Sequence, residues 1–265
     1  MKPAGSAAAA VVVTRPAAQA REMMARLAAL GREAVLFPLL DIHPLHDTAP
    51  LRAALAGLPD CALAAFVSPN AIDAVFAQLA GLSRPWPAKV PIAVMGEGSR
   101  QALAAHGVND ANAVIHSPRG ARTDSETLLE TLDLPALRGR KVMILRGESG
   151  RELLADRLRE AGAEVIPVAA YRRSAPLFDE TQQARLQALL ERKNDWIVTS
   201  SEALRHLEQM AKQLPINDAV AKMQQQRLFV PHARIAETAR AMGFPDVHMS
   251  ASGDEALLGA LQSCL

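Results

Sequence analysis

Residues 141–173 are the stretch that most constrains the fold, because they have the pattern of a complete β-α-β unit. Residues 142–145 form a short apolar run, as in a parallel strand buried on both faces. A polar turn, leucines at helical spacing, a glycine at the expected helix C-cap (Gly162) and a second apolar run at 165–170 follow. The simplest interpretation is two parallel strands joined by a helix.

An earlier stretch, residues 11–40, aligns with this unit without gaps, so that Arg15 falls on Arg146 and Gly31 falls on Gly162. Two further pairs of stretches match in the same order: residues 66–76 with 197–207, and residues 94–107 with 230–243. Three matches in one order predict an internal duplication, and a repeat longer than a hundred residues has the size of a domain.

Strand-like and helix-like patterns alternate along almost the whole chain. Ten apolar runs have the length of strands: residues 11–13, 34–40, 62–67, 92–95, 113–116, 142–145, 165–170, 196–198, 228–230 and 247–249. Such alternation is typical of sheets with helices on both faces. We therefore predict an α/β fold of two doubly wound parallel-sheet domains, flavodoxin-like and related by duplication.

Two polar, proline-bearing segments, residues 41–50 and 172–179, interrupt this alternation at equivalent places in the two repeats. They are the best linker candidates. The chain could leave one domain at the first segment and return to it at the second, which would make that domain discontinuous. The length of 265 residues and the hydrophobic content of 49% are ample for two cores.

The charge balance, 29 Lys and Arg against 28 Asp and Glu, gives no indication of nucleic acid or of an anionic membrane as a partner. No apolar stretch approaches the length of a membrane span, and the N-terminal apolar run contains a predicted strand rather than an export signal. The two cysteines, Cys61 and Cys264, fit a reducing cytoplasm. Neither the cysteines nor the seven histidines show a metal-ligand spacing, so we expect no metal.

Ligands of such sheets bind beyond the carboxyl ends of the strands, where amides at helix N-termini favour negative charge. The segments that follow the predicted strands carry hydroxyls, glycines, amides and a few arginines, which suit a ligand with several carboxylates or phosphates. The candidate binding residues are Thr14, Arg15, Ser68, Pro69, Asn70, Gly96, Gly98, Ser99, Arg146, Gly147, Thr199, Ser200, Ser201, His232 and Ile235.

These residues also have simpler interpretations. The serines are good helix N-caps, and the two arginines could be partners of surface ion pairs. The Gly-Glu-Gly segment at 96–98 lacks the third glycine of a dinucleotide fingerprint, and the turn at 146–150 lacks the Gly-Lys-Ser/Thr of a phosphate loop. The chain has no Gly-x-Ser-x-Gly elbow either. Nucleotide binding and serine hydrolysis are therefore unsupported.

Seven short motifs occur in order along the chain: Val-Thr-Arg-Pro, Phe-Val-Ser-Pro-Asn-Ala, Gly-Glu-Gly-Ser, Ile-Leu-Arg-Gly, Ala-Tyr-Arg-Arg, Val-Thr-Ser-Ser and Pro-His-Ala-Arg-Ile-Ala. Together they resemble the bacterial branch of the uroporphyrinogen-III synthase family. The resemblance implies two α/β domains, residues 1–42 with 172–265 and residues 43–171, joined by a two-stranded tether with the active cleft between them.

The reaction implied by the resemblance is the cyclising dehydration of linear hydroxymethylbilane to uroporphyrinogen III. The last pyrrole ring is inverted through a spiro intermediate, and no cofactor or metal takes part. The substrate carries eight carboxylates, which would explain a lining of amides and small polar side chains. We expect a monomer whose partners are this small molecule and, through a transient contact, the preceding pathway enzyme.

The resemblance also places the family's functionally important tyrosine at Tyr171, the chain's single tyrosine. A phenol is protonated at neutral pH and can donate a proton to the departing hydroxyl without environmental tuning. Two rival functions remain open. One is a two-lobed protein that closes on a polyanionic ligand without turnover, although the lack of an export signal argues against its periplasmic form. The other is a nucleotide-dependent transferase, which the missing phosphate loops weaken.

Overall fold

The structure, a computed structural model, describes residues 9–118 and 124–264. It divides into two compact units. Unit 1 combines the chain up to Asp41 with the chain from Ser174 onward, and unit 2 is Ile42–Arg173. The domain boundaries expected from the sequence, 42/43 and 171/172, differ from these divisions by one and two residues.

The strands of the described residues, in chain order, are β1 (Val11–Val13), β2 (Ala34–Leu36), β3 (Asp41–His43), β4 (Leu63–Phe66), β5 (Ile92–Val94), β6 (Ile115–His116), β7 (Lys141–Gly147), β8 (Glu164–Ser174), β9 (Asp195–Ile197), β10 (Arg227–Val230) and β11 (Val247–Met249). The α-helices are α1 (Ala17–Ala29), α2 (Ala49–Ala56), α3 (Pro69–Gly81), α4 (Glu97–Ala105), α5 (Ser125–Leu129), α6 (Leu153–Glu160), α7 (Glu180–Leu190), α8 (Ser201–Gln213), α9 (Ala219–Gln224), α10 (Ala233–Ala241) and α11 (Asp254–Ser263). Short 3-10 turns lie at Leu58–Asp60 and Pro135–Leu137.

Unit 1 contains a parallel sheet of five strands in the order β11-β10-β9-β1-β2. Strand β1 is internal, and its Val12 lies opposite both Val35 of β2 and Trp196 of β9. All three valines of β1 are fully buried. A strand covered on both faces needs apolar side chains at every position, which explains the uninterrupted run in the sequence.

Unit 2 contains six strands in the order β3-β8-β7-β4-β5-β6, and the neighbours from β8 to β6 are parallel. Successive residues of β4 join different core clusters on the two faces of the sheet. Phe66 packs in the cluster that contains Ile72 of α3, whereas Ala65 packs in the cluster that contains Leu158 of α6. The carboxyl ends of the parallel strands meet at one edge, where helices α3 and α4 begin.

The predicted α/β class with parallel sheets is confirmed, and every predicted strand overlaps an observed one. The predicted strand at 34–40 is shorter, since it pairs only at Ala34–Leu36. Both divisions between the units fall within the two predicted linker segments, but these segments contain regular structure: residues 41–50 begin with β3 and end within α2, and β8 continues to Ser174 in the second segment. Strand β3 has a single apolar residue, Ile42, between polar neighbours, so only its position beside β8 identifies it as a strand.

The stretches that match in sequence occupy corresponding places in the two sheets. Strands β1, β2, β9 and β10 match β7, β8, β4 and β5, and the spatial orders are β10-β9-β1-β2 and β5-β4-β7-β8. The order in unit 1 is part of the flavodoxin-like arrangement, in which strands numbered along the chain lie as 2-1-3-4-5. The strands differ in their order along the chain, because β7 and β8 come last in unit 2 whereas β1 and β2 come first in unit 1. The duplication itself stays a prediction.

Candidate functional site

The carboxyl ends of β4, β7 and β8 in unit 2 bring Ser68, Gly147 and Tyr171 together. Helix α3 begins after Ser68, whose Oγ accepts a hydrogen bond from the Ala71 N–H at 3.2 Å. The same hydroxyl donates to Oη of Tyr171 at 3.1 Å. The Tyr171 hydroxyl is therefore connected through one side chain to the N-terminus of α3, where the helix carries partial positive charge.

A β-bulge between β7 and β8 sets the direction of the Tyr171 side chain. Arg146 pairs with Ala169 but Gly147 pairs with Tyr171, so Ala170 is an extra residue in β8. Ala170 and Tyr171 are both buried, with 3% and 5% exposed, which interrupts the alternation expected of a strand. Bulges of this kind re-aim side chains beside functional sites.

Gly147 leaves the space that the tyrosine ring occupies. A Cβ atom on this residue would lie 3.2 Å from Cζ and 3.4 Å from Oη of Tyr171. The first separation is shorter than ordinary van der Waals contact, so any larger residue would push the ring. The missing side chain of the predicted site residue Gly147 is therefore what leaves room for the Tyr171 ring.

The other predicted residues of unit 2 fall into two groups. Pro69 is the first residue of α3, Gly96 precedes α4, and Gly98 and Ser99 lie in its first turn, with Ser99 only 4% exposed. Asn70 is half-buried in the first turn of α3. Arg146 instead pairs with Glu152 at 2.6 Å and donates to the Gly150 carbonyl at 3.3 Å, so its guanidinium holds its own loop.

In unit 1 the side chains that follow β1 are bonded to other residues of the same unit. Thr14 is 2% exposed, and its hydroxyl donates to the Ile197 carbonyl at 2.8 Å, across the β1–β9 pair. Arg15 forms an ion pair with Asp254 at 2.6 Å. Arg15 is therefore an ion-pair partner, as in the simpler of its two interpretations from the sequence.

The side chains that follow β9 cap a helix or bond to another helix. Ser200 accepts from the Glu202 N–H at 3.1 Å and caps α8. Ser201 is buried and accepts from the Thr238 hydroxyl at 3.0 Å. Thr199 is half-buried between β9 and this cap.

After β10, His232 is the N-cap residue of α10, and its Nδ1 lies 3.5 Å from the Ser252 hydroxyl. Ile235 is 2% exposed and packs in the core. The sequence reasoning missed Ser252 and Asp254, the partners of His232 and Arg15. Both follow β11, so the same strand-end rule applied to that strand points to them.

Among residues 9–118 and 124–264, no group of three or more His, Cys, Asp or Glu side chains is placed to hold a metal ion. Within the same residues, no helix combines the length and apolar character needed to cross a bilayer.

Known proteins resemble this chain over almost its full length. Residues 21–258 match the family model described as uroporphyrinogen-III synthase HemD. The uroporphyrinogen-III synthase of Escherichia coli (strain K12) is 33% identical over 254 residues, which cover 95% of this chain and 99% of the relative. That of Synechococcus elongatus is 33% identical over 205 residues, or 76% of this chain and 74% of the relative.

A solved structure shares the fold. The structure of a mutant uroporphyrinogen III synthase from the extremely thermophilic bacterium Thermus thermophilus superimposes with a TM-score of 0.61 at 17% identity, covering 96% of this chain and 100% of that one. This likeness supports the fold, while the family rests on the sequence matches. The chain belongs to the uroporphyrinogen-III synthase family.

Proposed function

We propose that this protein converts hydroxymethylbilane to uroporphyrinogen III, a cyclising lyase reaction that releases water and inverts the last pyrrole ring. The observation that carries the proposal is the Tyr171 hydroxyl held at 3.1 Å by Ser68, at the strand ends of a chain whose residues 21–258 match this family. A phenol at this place is a proton donor of the kind that loss of a hydroxyl group requires.

The proposed first step is the loss of the terminal hydroxyl as water. Tyr171 donates its proton to the departing oxygen as the carbon–oxygen bond breaks, which leaves an electrophilic azafulvene. Because Ser68 donates to Oη, it stabilises the negative charge that develops on the phenol oxygen. The Ala71 N–H in turn holds Ser68. Tyr171 regains a proton when the ring system loses one at the end of the reaction.

The later steps depend on positioning. The last ring attacks the azafulvene through its substituted carbon, and the resulting spiro intermediate fragments and recloses with that ring inverted. Without the enzyme the same substrate closes without inversion, so the protein must hold a flexible chain in one geometry. Positioning of this kind is a large source of rate enhancement.

We propose that main-chain amides bind most of the eight substrate carboxylates. Helices α3, α4, α8 and α10 all begin at the carboxyl edges of their sheets, and the first amides of a helix have no partner within it. Arg15 and Arg146 are already paired with Asp254 and Glu152, which makes them poorer candidates for direct contact. The half-buried Thr199 and Asn70 would add side-chain contacts.

We also propose that the protein acts in the cytoplasm as a monomer, without cofactor or metal. A transient contact with the preceding pathway enzyme would shorten the time in which the substrate can close without inversion. The two cysteines of the chain, neither of which is in a disulfide, are consistent with a reducing compartment.

The test is to mix the purified protein with enzymatically generated hydroxymethylbilane and to separate the uroporphyrin isomers after oxidation. We expect the type III isomer, formed without added metal or nucleotide and unaffected by a chelator. Tight binding of the substrate with only the type I isomer, at the rate seen without protein, would support the rival function of a polyanion-binding protein and refute the enzyme.

A further inference from the structure

A second hydrogen-bonded set of reactive side chains lies in unit 1, at the end of the sheet where β10 and β11 begin. The Cys264 Sγ is 3.4 Å from Nδ1 of His248. The other ring nitrogen, Nε2, is 2.7 Å from Oδ1 of Asp246. We name these three residues the Cys264 relay: Asp246 precedes β11, His248 lies within it and Cys264 follows α11, whereas the candidate substrate residues of this unit follow the carboxyl ends of β1, β9 and β10.

Each member of the Cys264 relay is held by a further contact. The His248 ring stacks on Phe229 with centroids 5.1 Å apart and planes at 18°. The second oxygen of Asp246 accepts from Nζ of Lys193 at 2.7 Å. The Arg227 guanidinium donates to the carbonyl of Cys264 at 3.3 Å. Contacts from Phe229, Lys193 and Arg227 thus hold the three residues of the relay in place.

The contacts determine which nitrogen of His248 can take a proton. A neutral imidazole carries one N–H, and the carboxylate of Asp246 accepts it from Nε2. Burial raises the pKa of Asp246, but the hydrogen bonds from Lys193 and His248 lower the pKa by more, so this group stays ionised at neutral pH. Nδ1 is therefore the free acceptor, and it faces the thiol of Cys264.

A nucleophile, a base and a group that orients the base are the minimum for an activated thiol. Reactive cysteines are partly exposed and lie near positive charge, whereas structural ones are buried in apolar surroundings. Cys264 is half-buried beside Arg227. Cys61 is 6% exposed, and burial raises the pKa of its thiol.

We propose that Cys264 is a site of thiol–disulfide exchange, in which His248 and Asp246 activate the thiol toward low-molecular-weight disulfides. The Cys264 thiol gives its proton to Nδ1 of His248, and the thiolate attacks one sulfur of the disulfide. A new sulfur–sulfur bond forms as the old one breaks, and the released thiolate takes the proton from His248. The products are a mixed disulfide on Cys264 and one free thiol. The step involves no tetrapyrrole, so it stands apart from the proposed function.

The test is to incubate the folded, full-length protein with oxidised glutathione and to follow the mixed disulfide by intact mass and peptide mapping. We expect one adduct, on Cys264, which Cys264→Ser abolishes. A free thiol is only a few per cent thiolate at pH 7, so an efficient base can accelerate exchange by at most roughly thirty-fold. His248→Gln should therefore slow the reaction about tenfold. The matched control His116→Gln, a histidine of unit 2, should react at the wild-type rate.

Asp246→Asn keeps the imidazole and the shape of its partner but removes the carboxylate charge, which makes Nε2 the protonated nitrogen of His248. This variant is the substitute if circular dichroism shows that His248→Gln does not fold. We expect this variant to react several-fold more slowly. In concentrated urea the rates of all variants that retain Cys264 should become equal. Wild-type rates in folded Asp246→Asn or His248→Gln, or equal reactivity of Cys61 and Cys264 in the folded protein, would overturn the proposal.

Discussion

Replacing Gly147 by alanine is expected to slow turnover by displacing Tyr171 while unit 2 stays folded. Gly147 does not have a positive φ, so alanine fits the backbone. The added Cβ would lie 3.2 Å from Cζ of Tyr171, and the ring must yield by a few tenths of an ångström. Because the hydroxyl is bonded to Ser68 at 3.1 Å, this movement weakens the contact that positions it.

The size of the effect follows from how steeply catalysis depends on position. A misplacement of about 1 Å can cost about 10²-fold in rate, so a few tenths of that distance should cost about three- to tenfold in kcat. Overpacking of this kind typically costs about 1 kcal/mol of stability, which leaves the protein folded at 25 °C. The matched control is Gly81→Ala at the end of α3, where an added Cβ meets nothing within 4 Å.

The assay is steady-state formation of the type III isomer by the wild type, Gly147→Ala, Tyr171→Phe and the double variant. If Gly147 acts through the tyrosine hydroxyl, adding Gly147→Ala to Tyr171→Phe should cause little further loss. A folded Gly147→Ala with wild-type kcat would refute the reasoning. If Gly147→Ala lowers kcat as much in the Tyr171→Phe background as in the wild type, Gly147 does not act through the Tyr171 hydroxyl.

Three further outcomes are expected. Tyr171→Phe should fold normally and lose about 10²-fold in kcat, the low end for a general acid, and a wild-type kcat would exclude a catalytic hydroxyl. Asp195→Asn should lower the free energy of unfolding in urea by about 3 kcal/mol, because Asp195 is 1% exposed and bonds both Arg32 and Arg227; a loss below about 1 kcal/mol would contradict this. The pKa of Asp246 is lowered in the folded state, so its contribution to the free energy of unfolding is complete above the usual aspartate pKa and is lost as the pH falls through the lowered pKa. The small difference in free energy of unfolding between wild type and Asp246→Asn should thus shrink from pH 7 to pH 3. An unchanged difference would contradict a stabilising role of the ionised carboxylate.

The strands were predictable because parallel strands buried on both faces must be apolar throughout, as in β1 and β5. Short elements with mixed composition were not. In β3, the residues beside Ile42 are Asp41 and His43, and only pairing at the sheet edge makes this segment a strand. Helices α2 and α9 have eight and six residues, too short for a clear helical period.

The strand-end rule found most candidate site residues, but it could not tell which side chains face a ligand. That choice depends on partners far away in the sequence, such as the Ile197 carbonyl for Thr14 and Asp254 for Arg15. The bulge that turns Tyr171 depends on the register between β7 and β8, which neither strand encodes alone. The resemblance to the family made Tyr171 a candidate, whereas only the structure shows which residues hold its hydroxyl and ring.

The division of unit 1 between the two ends of the chain has a consequence for biosynthesis. Strand β1 leaves the ribosome early, yet Val12 pairs with Trp196, which is made 184 residues later. At roughly 5–20 residues per second, β1 and β2 wait about 10 s or more for the rest of their sheet. Unit 2 is continuous in sequence and is synthesised during that interval. We expect it to fold first on the nascent chain, while the valines of β1 are exposed and open to chaperones.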